Sequence, residues 1–251
     1  MQRRGITKVR NEAHIIEDTL DRWAEFCPDG IHVYDDCSSD DTAHICRAHP
    51  AVVEVISSDL FDSDRERAEW FNRQALLNSA RRFMQEGSDW ICYFDADEHP
   101  VDIDMDRVDW EQAEALSLDL YDVHITPEDV DGLYLDRRWV DSQFRRIPFF
   151  FRLQSWSGYA QPDQRIMTYQ QIRGPRCFPV GLCKHYGKGL SVGHWEKKCD
   201  YYANTFGPKY ADKWRLRRGK AIKTDYKSDF GEPLVDFERI RIEYSRLCAV
   251  G

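Results

Sequence analysis

Hydrophobic and polar positions alternate between two periods over the first hundred residues. Short apolar runs predict four strands, at Ile6–Val9, Ile31–Tyr34, Val52–Ile56 and Trp90–Phe94. Between these runs, apolar residues recur at helical spacing and predict helices over 12–26, 41–48 and 64–86. Strands that alternate with helices predict an α/β fold with a mainly parallel sheet flanked by helices.

The pattern changes after residue 100. The acidic stretch 102–131 predicts irregular structure, and two apolar stretches, 147–153 and 165–169, predict strands. Residues 174–194 are rich in Gly, Pro, Cys and His and predict a folded loop, while 196–222 predict helix with an interruption at Gly207-Pro208.

The chain shows neither an internal repeat nor a low-complexity linker, so residues 1–251 are expected to form one domain with a C-terminal elaboration. Residues 1–100 are expected to form a half that binds the nucleotide sugar, and 101–195 a half for the acceptor and the metal. Residues 196–251 are expected to form a basic helical segment.

Composition narrows the class of protein. Hydrophobic residues make up 42% of the 251 residues, and none of the apolar runs approaches the ~20 residues that span a bilayer. Together with eight cysteines that form no CxxC pair, this predicts a cytoplasmic protein with free thiols. The net charge of −9 disfavours nonspecific binding to nucleic acid, although residues 196–227 carry ten Lys or Arg against four Asp or Glu.

Carboxylates follow the predicted strands. Arg10-Asn11-Glu12 follows the first strand, Asp35-Asp36 the second, and Asp95-Ala96-Asp97-Glu98 the fourth. Parallel strands bring their carboxyl ends to one edge of a sheet, where ligands bind. Because crowded carboxylates repel one another, a divalent cation and a ligand with hydrogen-bond donors are expected there. Each acid taken alone can instead cap the next helix.

Four segments in order resemble family 2-type glycosyltransferases with the GT-A fold. They are VRNEAHIIEDTL, IHVYDDCSSDDT, WFNRQALLNSA and DWICYFDADEHP, and they cover roughly residues 5–100. Lys184-His185-Tyr186, followed by Ser191 and Lys197, resembles the C-terminal histidine segment of some members more loosely.

The resemblance implies a nucleotide-sugar site with Mn²⁺ or Mg²⁺. Asp97 would be the principal metal ligand, with Asp95 facing the ribose or the metal and His185 completing the shell. Residues near the nucleotide or its diphosphate would be Val9, Arg10, Glu12, Asp35 or Asp36, Arg73 and Lys188. Simpler structural roles remain open for these residues, such as a loop histidine at 185 and solvated side chains at 73 and 188.

An inverting transferase also needs a carboxylate that deprotonates the acceptor hydroxyl. Asp163 and Glu98 are the two candidates, and a retaining mechanism would need neither. Two other metal sites fit poorly. The run Asp102, Asp104, Asp106 lacks the glycine and the final glutamate of a calcium loop. The Cys and His residues of 177–199 match no common zinc spacing.

The expected function is therefore transfer of a hexosyl or pentosyl group from a nucleotide sugar, most simply a UDP-sugar, to an acceptor hydroxyl. A saccharide acceptor is expected, and a hydroxymethylated DNA base stays open because aromatic and basic residues mix in 196–227. The alternatives are a nucleotidyltransferase, which the absence of glycine after the first strand disfavours, and a non-catalytic protein that binds nucleic acid.

Overall fold

A computed structural model of the chain describes residues 1–159, 176–205 and 207–250. The strands are β1 (Arg3–Val9), β2 (Ile31–Asp35), β3 (Val52–Ser57), β4 (Trp90–Tyr93), β5 (Glu98–Val101), β6 (Ala115–Asp122), β7 (Trp139–Asp141), β8 (Arg145–Arg152), β9 (Cys177–His185) and β10 (Leu234–Asp236). The helices are α1 (Ile16–Ala24), α2 (Thr42–Ala48), α3 (Arg65–Arg81), α4 (Val192–Thr205), α5 (Pro208–Arg215) and α6 (Phe237–Val250). Short 3₁₀ helices cover Tyr134–Asp136 and Tyr186–Lys188.

One sheet has eight strands in the order β3-β2-β1-β4-β8-β6-β9-β5. β1 lies between β2 and β4 and pairs with both in parallel, and β2 pairs with β3 in parallel. β8 joins the other edge of β4 antiparallel. The α/β class with a mainly parallel, helix-flanked sheet is thus confirmed, because the first hundred residues follow the strand-helix alternation that right-handed crossovers require.

Alternate side chains of the central strands face different helices. Ile91 and Tyr93 of β4 pack in a buried cluster with Leu76 and Leu77 of α3. Phe94, just after β4, stacks instead on Trp23 of α1, with ring centroids 4.8 Å apart. Since successive side chains of a strand point to opposite faces, α3 and α1 cover opposite faces of this part of the sheet.

The predicted irregular stretch 102–131 is wrong, because it contains strand β6, all eight residues of which are buried. Every second residue of β6 from 116 to 120 is leucine, which is a strand period, but the acidic composition of the whole stretch favoured irregular structure in the prediction. Asp119 and Asp122 are buried because Arg146 and Arg145 on β8 pair with them. The predicted loop 174–194 is likewise wrong, since it holds strand β9 and the start of α4. The interrupted helix predicted over 196–222 is confirmed as far as Arg215, by α4 and α5, whereas residues 216–222 are not helical. The predicted strand 165–169 lies outside the described residues.

The chain divides into two compact units. Unit 1 comprises Met1–Leu118 and Ile147–Gly181, and unit 2 comprises Asp119–Arg146 and Leu182–Gly251. Within unit 2, β7 and β10 form an antiparallel pair, and α4 packs with α5 around Trp195, Cys199 and Trp214. All eight cysteines are free. Of the helices in the described part of the chain, none is long and apolar enough to cross a membrane.

Candidate active site

The carboxyl ends of β1, β2 and β4 meet at one edge of the unit 1 sheet. Val9 and Asp35, the last residues of β1 and β2, are paired in register, and the amide of Asp36 donates to the carbonyl of Val9 at 2.9 Å. Asp95 and Asp97 follow the end of β4, the other neighbour of β1. The predicted acidic strand ends therefore lie along a single edge.

The backbone turns sharply where β1 and β2 end. Asn11 has φ of 55° and Cys37 has φ of 64°, both in the left-handed region that side chains other than glycine rarely adopt. The side-chain oxygen of Asn11 accepts the amide of Ser39 at 2.8 Å, which ties the two turns together. Strained residues concentrate at functional sites, because surrounding structure must hold them.

The two neighbouring aspartates, 35 and 36, have different partners. Asp36 is buried and pairs with Arg65 at the start of α3, and the ammonium of Lys8 lies 3.9 Å from the same carboxylate oxygen. Asp35 is also buried, and its Oδ1 accepts the amide of Ser38 at 3.3 Å. Asp36 thus connects β2 to α3 through charge, whereas Asp35 serves the turn after β2.

An aromatic ring lies beside the end of β1. Phe61, with 42% of its surface exposed, stacks against the guanidinium of Arg10 at 3.8 Å from the ring centroid and that of Arg65 at 4.8 Å. Glu12 has a backbone role: its carbonyl accepts the amides of Ile15 and Ile16 at the start of α1. Both Phe61 and Arg65 were missed, because neither belongs to a recognisable motif.

Arg73 reaches the acidic loop through Tyr93. Its Nε donates to the Tyr93 hydroxyl at 3.1 Å, and that hydroxyl donates to Asp95 Oδ1 at 2.8 Å. A second guanidinium nitrogen of Arg73 donates to Glu69 at 2.9 Å. Burial acts to lower the pKa of Arg73, yet Tyr93, Glu69 and Asp95 raise it, so the guanidinium stays charged beside the loop. Arg73 is therefore not a solvated surface residue.

The loop from Asp95 to Glu98 is held from inside the protein. Glu98 is 1% exposed, and its Oε2 accepts the amide of Asp95 at 2.9 Å. The indole of Trp23 on α1 donates to the carbonyl of Glu98 at 2.8 Å. Thr19, one helical turn earlier, donates its hydroxyl proton to the carbonyl of Ala96 at 2.5 Å. Asp97 is also buried, with 8% of its surface exposed.

In unit 2, His185 forms a close pair with a carboxylate that the sequence did not single out. Its Nδ1 lies 2.5 Å from Asp122 Oδ1, and Arg145 and Lys188 contact the same carboxylate at 2.7 and 2.9 Å. Burial acts to raise the pKa of Asp122, but His185, Lys188 and Arg145 lower it well below its usual range. An ionised Asp122 only accepts, so the Nδ1–H of His185 donates to it.

A second buried carboxylate of unit 2 also contacts Lys188. Asp229 has 5% of its side chain exposed, and Lys188 lies 3.4 Å from it. Lys223 and Arg217 contact Asp229 at 2.5 and 3.1 Å. Lys188 therefore bridges Asp122 and Asp229 rather than extending into solvent.

Over the described residues, no three His, Cys, Asp or Glu side chains are grouped closely enough to hold a metal ion by themselves. Asp95 and Asp97, two residues apart after β4, stay the metal ligands that the sequence predicts. Asp163 lies outside the described residues.

Two curated relatives match over 202 residues at 30% identity, the uncharacterized proteins Rv3786c of Mycobacterium tuberculosis and Mb3815c of Mycobacterium bovis. Each match covers 76% of this chain, and the chain spans about 40% of the length of these relatives. No family model matches the chain.

Among solved structures, the chain is similar to S. aureus TarS 1-349 in complex with UDP. This match has a TM-score of 0.44 and 13% identity, over 85% of this chain and 69% of TarS 1-349. Another TarS structure, which contains UDP-GlcNAc, gives a TM-score of 0.38 and 17% identity over 55% of this chain and 39% of the other. Mannosyl-3-phosphoglycerate synthase from Rubrobacter xylanophilus matches with a TM-score of 0.32 and 19% identity, over 53% of this chain and 42% of the synthase.

Proposed function

We propose that this chain is a glycosyltransferase of the GT-A type that takes a hexosyl or pentosyl group from a nucleotide sugar, most simply a UDP-sugar. The single observation that carries the proposal is the edge of the unit 1 sheet, where β2 and β4 flank β1 in parallel and a charged residue lies at, or within two residues of, the end of each strand. Ligands of open α/β sheets bind at such an edge.

The nucleoside would lie over the ends of β1 and β2. Asp36 is engaged with Arg65 and Lys8, so we assign the hydrogen bonds to base or ribose to Asp35. Phe61 supplies an exposed aromatic ring and Arg10 a cation at the same place. An aromatic ring and a guanidinium plane both suit stacking on a nucleobase.

Asp95 and Asp97 would hold a Mn²⁺ or Mg²⁺ ion. Two carboxylates are the usual protein share of such a site, since these cations complete their shells with water and substrate phosphates. The ion would stabilise negative charge on the departing diphosphate. Arg73 fixes the orientation of Asp95 through Tyr93, and Glu98 fixes the backbone of the loop. The assignment of His185 as a further ligand stays a prediction from the sequence, and in unit 2 its Nδ1 pairs with Asp122.

The acceptor hydroxyl must lose a proton if transfer inverts the anomeric centre. Asp163 is the candidate base that the sequence offers. Glu98 is 1% exposed and accepts a backbone amide, which supports a positioning role for it instead.

The test is UDP binding and sugar release with a matched pair of variants. We expect UDP with Mn²⁺ to raise the melting temperature of the wild type by mass action, and Asp97→Asn to abolish most of that shift and of the turnover. Asp106→Asn, at an exposed aspartate nine residues later, should behave as wild type.

Release of UDP from a UDP-sugar supports transfer, whereas pyrophosphate as the product would indicate a nucleotidyltransferase. Wild-type turnover by Asp97→Asn with metal present would reject the proposed cation site. An absence of nucleotide binding to the wild-type chain across uridine, guanosine and adenosine diphosphates would reject the proposed function.

A further inference from the structure

Unit 2 gathers more positive than negative charge around two buried carboxylates. Four permanently charged side chains contact Asp122 or Asp229, namely Arg145, Lys188, Arg217 and Lys223. His185 is a third nitrogen partner of Asp122, after Arg145 and Lys188. Within this cluster, called here the cationic cluster, the two carboxylates balance only two of the four cations.

Lys213 on α5 interacts electrostatically with members of the same cluster. Its ammonium is partly desolvated, and together with repulsion from Arg217 and Lys188 this lowers its pKa, with Asp229 acting in the opposite direction. Like charges are brought this close at a net cost unless an anion binds among them. Lys213 itself is exposed, so the cluster can be reached from solvent.

Three cations of the cluster are held in place rather than free to move in solvent. The side chains of Lys188, Lys223 and Arg217 are only 10–12% exposed, and the guanidinium of Arg217 lies 4.9 Å from the centre of the Trp214 ring. Trp214 is fixed in turn by stacking on Tyr202 at 4.6 Å. Fixed cations bind an anion with less loss of side-chain entropy than mobile surface lysines do.

An apolar ring adjoins the charges. Phe230 directly follows Asp229, has 72% of its surface exposed, and lies 5.8 Å from the ammonium of Lys188. Exposed aromatic rings stack on the apolar faces of sugar rings, while lysine and arginine pair with phosphate oxygens. The neighbouring ring and cations therefore suit a ligand that carries both a sugar and a phosphoryl group.

We propose that the cationic cluster of unit 2 is a subsite for the phosphoryl group of the acceptor, so that the acceptor class is a phosphorylated carbohydrate. This inference rests on the proposed glycosyltransferase function and names the acceptor for it. Lys188, Arg217 and Lys213 would contact the phosphoryl oxygens, with Asp229 keeping Lys188 and Arg217 in place. Phe230 would contact the attached sugar.

The experiment measures binding of glucose 6-phosphate, glucose and UDP to the full chain by calorimetry, at low and at moderate salt. We expect glucose 6-phosphate to bind and glucose to bind at least tenfold more weakly, because charge-assisted hydrogen bonds supply the difference. Lys213→Gln and Arg217→Gln should each weaken the binding of glucose 6-phosphate about tenfold and leave the affinity for UDP within twofold of wild type.

Lys220→Gln is the matched control, since it removes the same charge from an exposed residue of the same segment. An equal loss in Lys220→Gln would show a general charge effect and overturn the subsite. A parallel loss of UDP affinity, with competition between UDP and glucose 6-phosphate, would assign the cluster to the donor diphosphate and overturn the acceptor assignment. Equal binding of glucose and glucose 6-phosphate would overturn it as well.

These outcomes are separable from failure of the proposed function. The donor site is read from UDP binding and its loss in Asp97→Asn, whereas the acceptor subsite is read from sugar phosphate binding in variants of unit 2. Arg217 is largely buried, so a folded state verified by circular dichroism is required of that variant. Lys213→Gln, at an exposed side chain, gives the same test without a packing change.

Discussion

The acidic loop of unit 1 and the cationic cluster of unit 2 are held by different forces. Inside unit 1, Thr19 and Trp23 hold the carbonyls of Ala96 and Glu98 by hydrogen bonds from uncharged donors. Inside unit 2, Asp122 and Asp229 hold lysine, arginine and histidine side chains by ion pairs. Both sets are largely buried, but the unit 1 donors Thr19 and Trp23 are neutral, whereas the lysines and arginines of unit 2 are charged.

The two regions therefore respond differently to pH and salt. Neutral buried hydrogen bonds are insensitive to pH and salt, and they keep a loop in one geometry whether or not a ligand is bound. Ion pairs weaken as carboxylates protonate, so the cluster of unit 2 responds to pH. The hydrogen bonds from Thr19 and Trp23 do not depend on pH and would support the proposed metal site of unit 1.

Removing the Trp23 indole, which donates a hydrogen bond to the acidic loop, should have the largest effect on stability. Trp23 is fully buried, stacks on Phe94 and Phe149, and donates to Glu98. We expect Trp23→Ala to lower the free energy of unfolding by about 3–5 kcal/mol, because it leaves a cavity and an unpaired carbonyl. Urea denaturation measures it, and Trp156→Ala, at a side chain 53% exposed, is the control. A change below about 1 kcal/mol would show that the loop is supported elsewhere.

The ion pairs of Asp229 in unit 2 should instead stabilise the fold in a pH-dependent way. Burial acts to raise the pKa of Asp229, but Lys188, Lys223 and Arg217 lower it from 3.8 to about 2. The folded pKa lies below the unfolded one, so the stabilisation is complete above pH 4 and is lost as the pH falls toward 2. The difference corresponds to about 2 kcal/mol at neutral pH.

Asp229→Asn should therefore unfold about 2 kcal/mol more easily at pH 7, with the difference from wild type shrinking between pH 4 and pH 2. Denaturation series at pH 7, 4, 3 and 2 measure this. Asp225→Asn, at an exposed residue whose Oδ1 accepts the amide of Lys227, keeps that acceptor and should match wild type. A difference that stays constant with pH would mean that Asp229 acts by packing and not by charge.

The two regions also differ in how well the sequence predicts them. The acidic edge of unit 1 was predictable because its residues are contiguous in the chain, directly after apolar runs, and parallel pairing brings such strand ends together. Even so, the division of labour between Asp35 and Asp36 depends on Arg65 and Lys8, which come from α3 and β1. Those contacts appear only once the helix is packed on the sheet.

The cationic cluster was predictable only in part. The basic stretch 196–227 contains Lys213, Arg217 and Lys223. The carboxylates Asp122 and Asp229 that hold the cluster come from β6 and from the turn before β10, so no local pattern joins them to these cations. Asp122 belongs to a stretch that polar composition assigned to irregular structure. A buried polar strand is stable here because arginines on the neighbouring strand neutralise its aspartates, and a hydrophobicity pattern cannot detect such cross-strand pairs.

The smallest effect on stability and turnover is expected when Glu98 loses its charge but keeps its hydrogen-bond acceptor. Glu98→Gln keeps an oxygen able to accept the amide of Asp95, so we expect a stability change of about 1 kcal/mol or less and turnover within about tenfold of wild type. The pH profile of turnover should not move. A general base at position 98 requires the opposite result, because glutamine cannot accept a proton, and kcat should then fall at least about 100-fold.

Glu98→Ala, which removes the acceptor as well, should lose UDP binding with Mn²⁺ in the positioning case, since the loop that carries Asp95 and Asp97 is then released. A glutamine variant that binds UDP normally but does not turn over would assign the proton transfer to Glu98 and make the unit 1 loop dependent on charge, as unit 2 is.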